Sequence, residues 1–171
     1  MASSFSTSLK LEKMTTGEKA GLWGTVTNTN LDLVEQAVGG YVELSLASGN
    51  QTPAISDGAA SDGRNKVIKL TGTLSANRQL IFPDSCEKTY LVIDGTTRSS
   101  SHYTITIKTS SGTGVTMPVG STMLVIVDGT NVITGITQKG YVTTTGAYTA
   151  VNGDQVIVDT SAAAVTVTLP A

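Results

Sequence analysis

The chain has 171 residues, of which 39% are apolar, 5% aromatic and 14% charged, with a formal net charge of −2. That is enough for one domain or two small ones, with a core built from Val, Ile and Leu rather than from rings. The near-neutral balance excludes the basic patch that nucleic acid or an anionic membrane surface requires. The single cysteine, Cys86, excludes an intrachain disulfide.

Composition also points to a fold class. Thr fills 28 positions and Gly 18. Thr and Val are stiff at χ1 and favour extended backbone, so the expected class is all-β with many turns. No stretch reaches the ~18 consecutive apolar residues of a membrane span, and the opening MASSFSTSLKLEK has no apolar leader core. Neither nucleic acid binding nor membrane insertion is expected.

Residues 1–30 are polar and punctuated by glycine, and read as an extended or irregular arm. The one helix signal is NLDLVEQAVGG, 30–40. Asn30 can cap it, Leu31, Val34 and Val38 share a face, and Gly39 can stop it. Two to three turns cannot stand alone in water, so this helix must dock on something.

From Tyr41 onward the period is 2. YVELSL, KVIKLTGTL, RQLIFP, KTYLVID, HYTITIKT, GVTMP, TMLVIVDG, NVITGITQ, QVIVDT and AVTVTLP follow one another between turn signals. That pattern predicts an antiparallel β-sandwich of short strands, with LIFP, YLVID, YTITI and MLVIV at its centre. A weak repeat relates 80–97 to 115–131: a short strand ending in Pro, a polar link, an LVI strand and Asp-Gly. Asp-Gly suits a tight hairpin turn. A third copy begins at VTLPA, 167–171, where the chain stops. The expected organisation is an arm and helix over 1–42, a β-domain over 43–140, and the start of a second β-domain over 141–171. On this reading the 171 residues are the proximal part of something longer.

Candidate catalytic groups are few. His102 is the only histidine, in a Ser-rich turn at the head of a strand, with no G-x-S-x-G motif beside it. Cys86 sits among carboxylates, which raise rather than lower a thiol pKa. One His and one Cys cannot build a zinc site within one chain. Asp94, Asp128, Asp154 and Asp159 could be read as a glycosidase pair, but Asp94 and Asp128 stand in Asp-Gly turns and Asn152-Gly153-Asp154 is another turn signal. No catalytic residue, metal or cofactor is expected. Trp23, alone between glycines in GLWGT, reads either as an interface anchor or as packing against the helix.

TGEKAGLWGTVTNTNLDLVEQAVGGYV, 16–42, resembles an N-terminal segment of tail fibre and tail-appendage proteins of tailed bacteriophages, especially marine and cyanobacterial phages. Gly17, Glu18, Gly21, Trp23, Gly24, Thr27, Asn28, Asn30, Leu31, Gly39 and Gly40 carry the match. YTAVNGDQVIVDTSAAAVTVTLPA, 148–171, is similar to the opening of a β-domain common in viral fibres. The resemblance implies a structural virion protein, usually a homotrimer, on the phage tail or capsid surface and made in the bacterial host cytoplasm. Its N-terminal residues 1–42 would attach to other virion proteins (tail hub, baseplate or capsid), and a distal part would meet the host receptor. Leu22, Trp23, Gly24, Asn28, Asn30, Leu31 and Val34 are the expected anchoring residues. A capsid decoration protein or head fibre is the near alternative, and a carbohydrate-binding module the more distant one. The latter would need an aromatic platform, and Tyr90, Tyr103, Tyr141 and Tyr148 do not cluster in sequence.

Overall fold

The computed structural model describes residues 3–139, 141–151 and 154–169, without the side chains of 137–139. The expected turn at 152–154 lies partly outside these residues, and the closing Pro170 and Ala171 lie wholly outside. The described residues fall into two units, one ending at Thr137 and one starting at Gln138. The described residues are mainly β with one α-helix.

The first unit opens with a hairpin rather than an irregular arm. β1 (Ser4–Phe5) pairs antiparallel with β2 (Glu12–Lys13). The helix α1 runs from Trp23 to Gly39, starting about two turns earlier than the sequence suggests. Its N-terminus has no side-chain cap, and no basic residue closes its last turn. Asn30 is therefore mid-helix, not a cap. Its amide accepts from the Glu12 backbone N–H at 2.9 Å and donates to the Glu12 carbonyl at 2.8 Å. This bidentate contact offsets the poor helix propensity of the Thr, Asn and Gly residues ahead of it.

Two sheets face each other over the core. The larger has the order β12-β11-β7-β4-β3, formed by β3 (Tyr41–Ser45), β4 (Val67–Thr71), β7 (Glu87–Asp94), β11 (Ser121–Asp128) and β12 (Val132–Lys139). The smaller has β6 (Arg78–Phe82), β9 (Ile105–Thr109) and β10 (Gly114–Met117), with β9 in the middle. Leu44, Ile68, Leu70, Tyr90, Val92, Val125 and Val127 from the larger sheet meet Leu80, Phe82, Ile105, Ile107 and Met117 from the smaller. All are buried, and the Phe82 and Tyr90 rings stack at 4.1 Å between centroids. The four segments expected at the centre are all strands, β7, β9 and β11 inside their sheets and β6 at the edge of the smaller one, with β9 starting at Ile105 rather than Tyr103.

Pairing within these sheets is mixed rather than antiparallel throughout. β3, β4 and β7 run parallel, Tyr41 beside Val67 and Val67 beside Leu91. β6 and β9 are parallel in the facing sheet, and β5 (Thr73–Leu74) runs parallel to β8 (Thr97–Arg98) at the corner between them. The chain thus winds in stacked circuits of roughly 25 residues, within the range of solenoid repeats. Side chains on adjacent circuits meet directly: the Thr73 and Thr97 hydroxyls are 2.8 Å apart, and Lys69 pairs with Glu43 at 3.0 Å. After β9 the chain reverses, and β10 and β11 add antiparallel to β9 and β7.

In the second unit, β13 (Tyr141–Thr144) pairs parallel with β15 (Gln155–Val158), and β14 (Tyr148–Thr149) with β16 (Val167–Thr168). The last described strand, β16, thus has β14 as its partner. Ala150 is the one buried hydrophobic residue described there.

Candidate functional site

Two places concentrate chemistry or unpartnered surface. One is the N-terminal helix. Val26, Leu33 and Ala37 turn inward and are buried. On the same side, Asn30 holds β2, and Gln36 donates to the Ser61 carbonyl at 3.2 Å. The preceding loop is fastened too: Gly58 donates to the Lys10 carbonyl at 2.8 Å, and the Glu87 N–H to the Ser8 hydroxyl at 3.1 Å. Lys19 and Glu12 form an ion pair at 2.7 Å, which raises the lysine pKa and lowers that of the carboxyl.

The face expected to dock, Leu31, Val34 and Val38, is the outer one. Leu31 is 62% exposed and Val38 73%, and Val34 is also exposed. Trp23, at the first helical position, is 65% exposed, and Leu22 just before it is exposed as well. At 3.6 residues per turn, Trp23, Val34, Val38 and Leu31 fall within about 80° of one another. Of the expected anchoring residues, the structure brings Trp23, Leu31 and Val34 onto one apolar stripe. Gly24 is half-buried at its edge, Asn28 is exposed beyond it, and Asn30, about 20° from Trp23 on the other flank, turns to the inward side and holds Glu12. Packing Trp23 against its own helix, the alternative reading of that residue, is not what the structure has.

The other place is a buried polar cluster that sequence reasoning missed. Arg64, in the short 3-10 turn Asp62–Arg64, is fully buried. Its Nη2 donates to the Ser56 and Ala59 carbonyls at 2.6 and 2.8 Å, while Nε and Nη1 have no partner among the described residues. Burial lowers its pKa. Lys88 donates to the Arg64 and Asn65 carbonyls and sits 4.1 Å above the Tyr90 ring. Burial, with Lys66 and Arg64 nearby, pushes its pKa down to about 8. The Tyr90 hydroxyl donates to the Gly63 carbonyl at 2.7 Å and lies 3.6 Å from the Cys86 sulfur. Burial raises both the Tyr90 and the Cys86 pKa, so the thiol stays protonated at neutral pH. The arrangement holds the 54–65 loop against β7. The signal for it was a Lys at an inward-facing strand end, which needs a carbonyl cage to be tolerated.

The remaining candidates take structural partners. His102 is exposed in a turn, its ring nitrogen 3.3 Å from the Ser100 hydroxyl. Asp94 is not in a hairpin. It ends β7 and accepts from Thr96, from the Gly120 N–H at 2.8 Å and from Arg98 at 2.9 Å, and the Arg98–Asp94 pair is nearly inaccessible to solvent. Burial would raise its pKa, but these bonds outweigh burial and hold it below the ordinary value. Asp128 does close a hairpin, accepting from the Thr130 and Asn131 N–H groups. Asp154 accepts from the Tyr148 hydroxyl, and Asp159 from the Ser161 N–H. Among the described residues no group of three or more His, Cys, Asp or Glu is placed to hold a metal ion. Among the described residues no helix is long and apolar enough to cross a membrane.

Comparison of the chain with protein-family models, with curated proteins and with solved structures finds no match.

Proposed function

We propose that this chain is a structural protein of a phage particle, a tail fibre or appendage. Residues 1–42 would hold it against other virion proteins, and three copies would work together without catalytic activity. The observation that carries this reading is the apolar stripe on α1. Trp23, Leu31 and Val38 each leave more than half of their surface in water. With aromatics at about 150–250 Å2 each and aliphatics less, the stripe leaves roughly 400 Å2 uncovered, the size of the largest patch that a soluble chain ordinarily exposes and one that is often functional. It lies within the segment whose sequence resembles phage tail proteins. The solenoid winding also suits a part that bears load rather than one that encloses a substrate.

The test is antibody labelling of purified particles of the encoding phage, imaged by electron microscopy. Label on the tail supports the tail reading, and label on the capsid surface moves the protein to the head-fibre alternative. Absence of label, with the chain found only in infected-cell lysate, overturns both. Trp23→Ala is expected to reduce incorporation without unfolding the chain, because the ring is exposed. Glycan binding by a monomer would favour the carbohydrate-binding module.

A further inference from the structure

The edges of the two main sheets are not treated alike. The outer side of β6 is covered by Gln51, whose N–H donates to the Gln79 carbonyl at 2.9 Å and whose carbonyl accepts from the Ile81 N–H at 2.8 Å. β3 ends the larger sheet and has no strand on its far side. Its pairing with β4 fixes which backbone groups look that way. The Val67 N–H donates to the Gly40 carbonyl and the Leu46 N–H to the Thr71 carbonyl, each at 2.9 Å. Residues of a paired strand bond alternately to one side and the other, so Val42 and Leu44 turn their backbone groups to β4 while Tyr41, Glu43 and Ser45 turn theirs away. The Gln51 side chain takes the Ser45 carbonyl at 2.7 Å. The N–H and C=O groups of Tyr41 and Glu43 have no strand beside them, and both residues are exposed.

We propose that β3 accepts an added strand from another protein, an extended segment that alternates apolar and polar residues and sets a lysine or arginine beside Glu43. The two faces of β3 dictate that pattern. On the inner face Leu44 is buried and Val42 is half-buried against the core, so apolar neighbours would extend that core by one strand. On the outer face the Glu43 Oε1 accepts from the Tyr41 hydroxyl at 2.6 Å and from Lys69 at 3.0 Å, and Oε2 is engaged by neither. Lys69 lies one strand inward of Glu43. A cation one strand outward would complete a row of alternating charge, whereas a carboxylate there would stand beside one of its own sign. The Lys69 pair also offsets the repulsion by which a bare edge charge keeps strands away. Backbone bonds would supply affinity, and the alternating side chains selectivity. The edge is distinct from the α1 stripe and needs no phage partner.

The test is amide hydrogen exchange, read by NMR on the isotope-labelled full chain, with the peptide acetyl-Thr-Val-Lys-Val-Thr-amide as the probe. With free peptide at about ten times its dissociation constant, exchange at Tyr41 and Glu43 should slow about tenfold. Val42 and Leu44, already bonded to β4, should change little. Glu43→Pro removes an open donor without touching the β4 ladder, so it should keep the wild-type circular dichroism spectrum and lose the peptide. Glu43→Gln keeps every backbone group and should bind the peptide several-fold more weakly, as should wild type with a peptide carrying Glu in place of Lys. Unchanged exchange at Tyr41 and Glu43 with the peptide at millimolar concentration overturns the proposal. Undiminished binding by a folded Glu43→Pro overturns strand addition, and equal binding of the Lys and Glu peptides overturns the basic partner. Protection of Tyr41 and Glu43 that grows with protein concentration alone gives the edge to a second copy and overturns the foreign strand.

Discussion

The repeated segments 80–97 and 115–131 cross from the smaller sheet to the larger at a proline, Pro83 in one and Pro118 in the other, and both end in Asp-Gly. The strands that precede the prolines, β6 and β10, flank β9, and the strands that follow, β7 and β11, lie side by side and antiparallel. Beyond Asp-Gly they diverge. At Asp128 the chain folds back into β12 around Gly129, whose φ is +90°. At Asp94 it turns a solenoid corner into β8, and the carboxylate is buried against Arg98. The same dipeptide serves as a local turn in one copy and as the hub of a tertiary network in the other. The difference lies in what comes next: Arg98, four residues on, reaches back to Asp94, while in the second copy Asn131 offers only its backbone N–H to Asp128.

That contrast is open to measurement. Asp94→Asn removes the charge partner of a buried guanidinium, and breaking such a pair costs about 3–5 kcal/mol. Asp128→Asn, at an exposed turn, should cost less than about 1 kcal/mol. Equal losses in denaturant unfolding would erase the distinction between hub and turn. Acid sharpens the same contrast. Asp94's folded pKa lies below its unfolded one, so its stabilisation is present above the unfolded value of 3.8 and is lost as pH falls through the folded value. Wild-type stability should drop more steeply below pH ~4 than that of Asp94→Asn.

The next effect is smaller. Tyr90 of the first copy aligns with Met123 of the second, and only Tyr90 carries a hydrogen bond into the 54–65 loop. Tyr90→Phe leaves the Gly63 carbonyl without that donor and should cost about 1–3 kcal/mol, with faster amide exchange over 54–65. Gly129→Ala should cost about 1–2 kcal/mol, because an L-residue resists the left-handed backbone there. Gly95 has no positive φ, so an alanine meets no such backbone penalty, though its Cβ would press on Lys69 and the Leu70 carbonyl. Loss at 95 with none at 129 would break the assignment of hairpin and corner.

The smallest effect is in alkali. Lys88 titrates near 8 when folded and near 10.5 when unfolded. Between these values the unfolded chain binds the extra proton, so stability rises with pH. The Cys86 and Tyr90 pKa values are raised by burial, so their contribution falls once pH passes their unfolded values of 9.0 and 10.0. Unfolding free energy should therefore climb from about pH 8 to 9, level off while Lys88 and Cys86 offset each other, and fall above about pH 10. Lys88→Met should abolish the climb and keep the descent, and a climb that survives the substitution would assign it to another group.

Much of the fold was legible because burial imposes alternation. Ile105 and Ile107, or Val125 and Val127, declare an inward face whatever their neighbours are. Parallel order was not legible, since a period of 2 is the same in either direction. What sets it is the return of Tyr41, Val67 and Leu91 to one ladder across long loops. The helix start was missed for a related reason. TVTNTN has weak helix propensity and no cap, and it is held helical by contacts with distant residues such as Glu12. The Leu31, Val34 and Val38 face was visible in sequence, but its outward direction was not, because Val26, Leu33 and Ala37 offer an equally apolar face.

The Asn30–Glu12 contact bears on aggregation. In an antiparallel strand, the N–H and C=O of one residue point to the same side, and on an edge strand they form a ready template for a foreign strand. Glu12 lies on such an edge of the β1–β2 hairpin, and the Asn30 amide occupies both of its groups with the donor-acceptor pattern of a peptide unit. A side chain on a helix thus closes the β2 edge of the N-terminal hairpin to a further strand at Glu12, while the apolar stripe on the neighbouring side of that helix stays exposed.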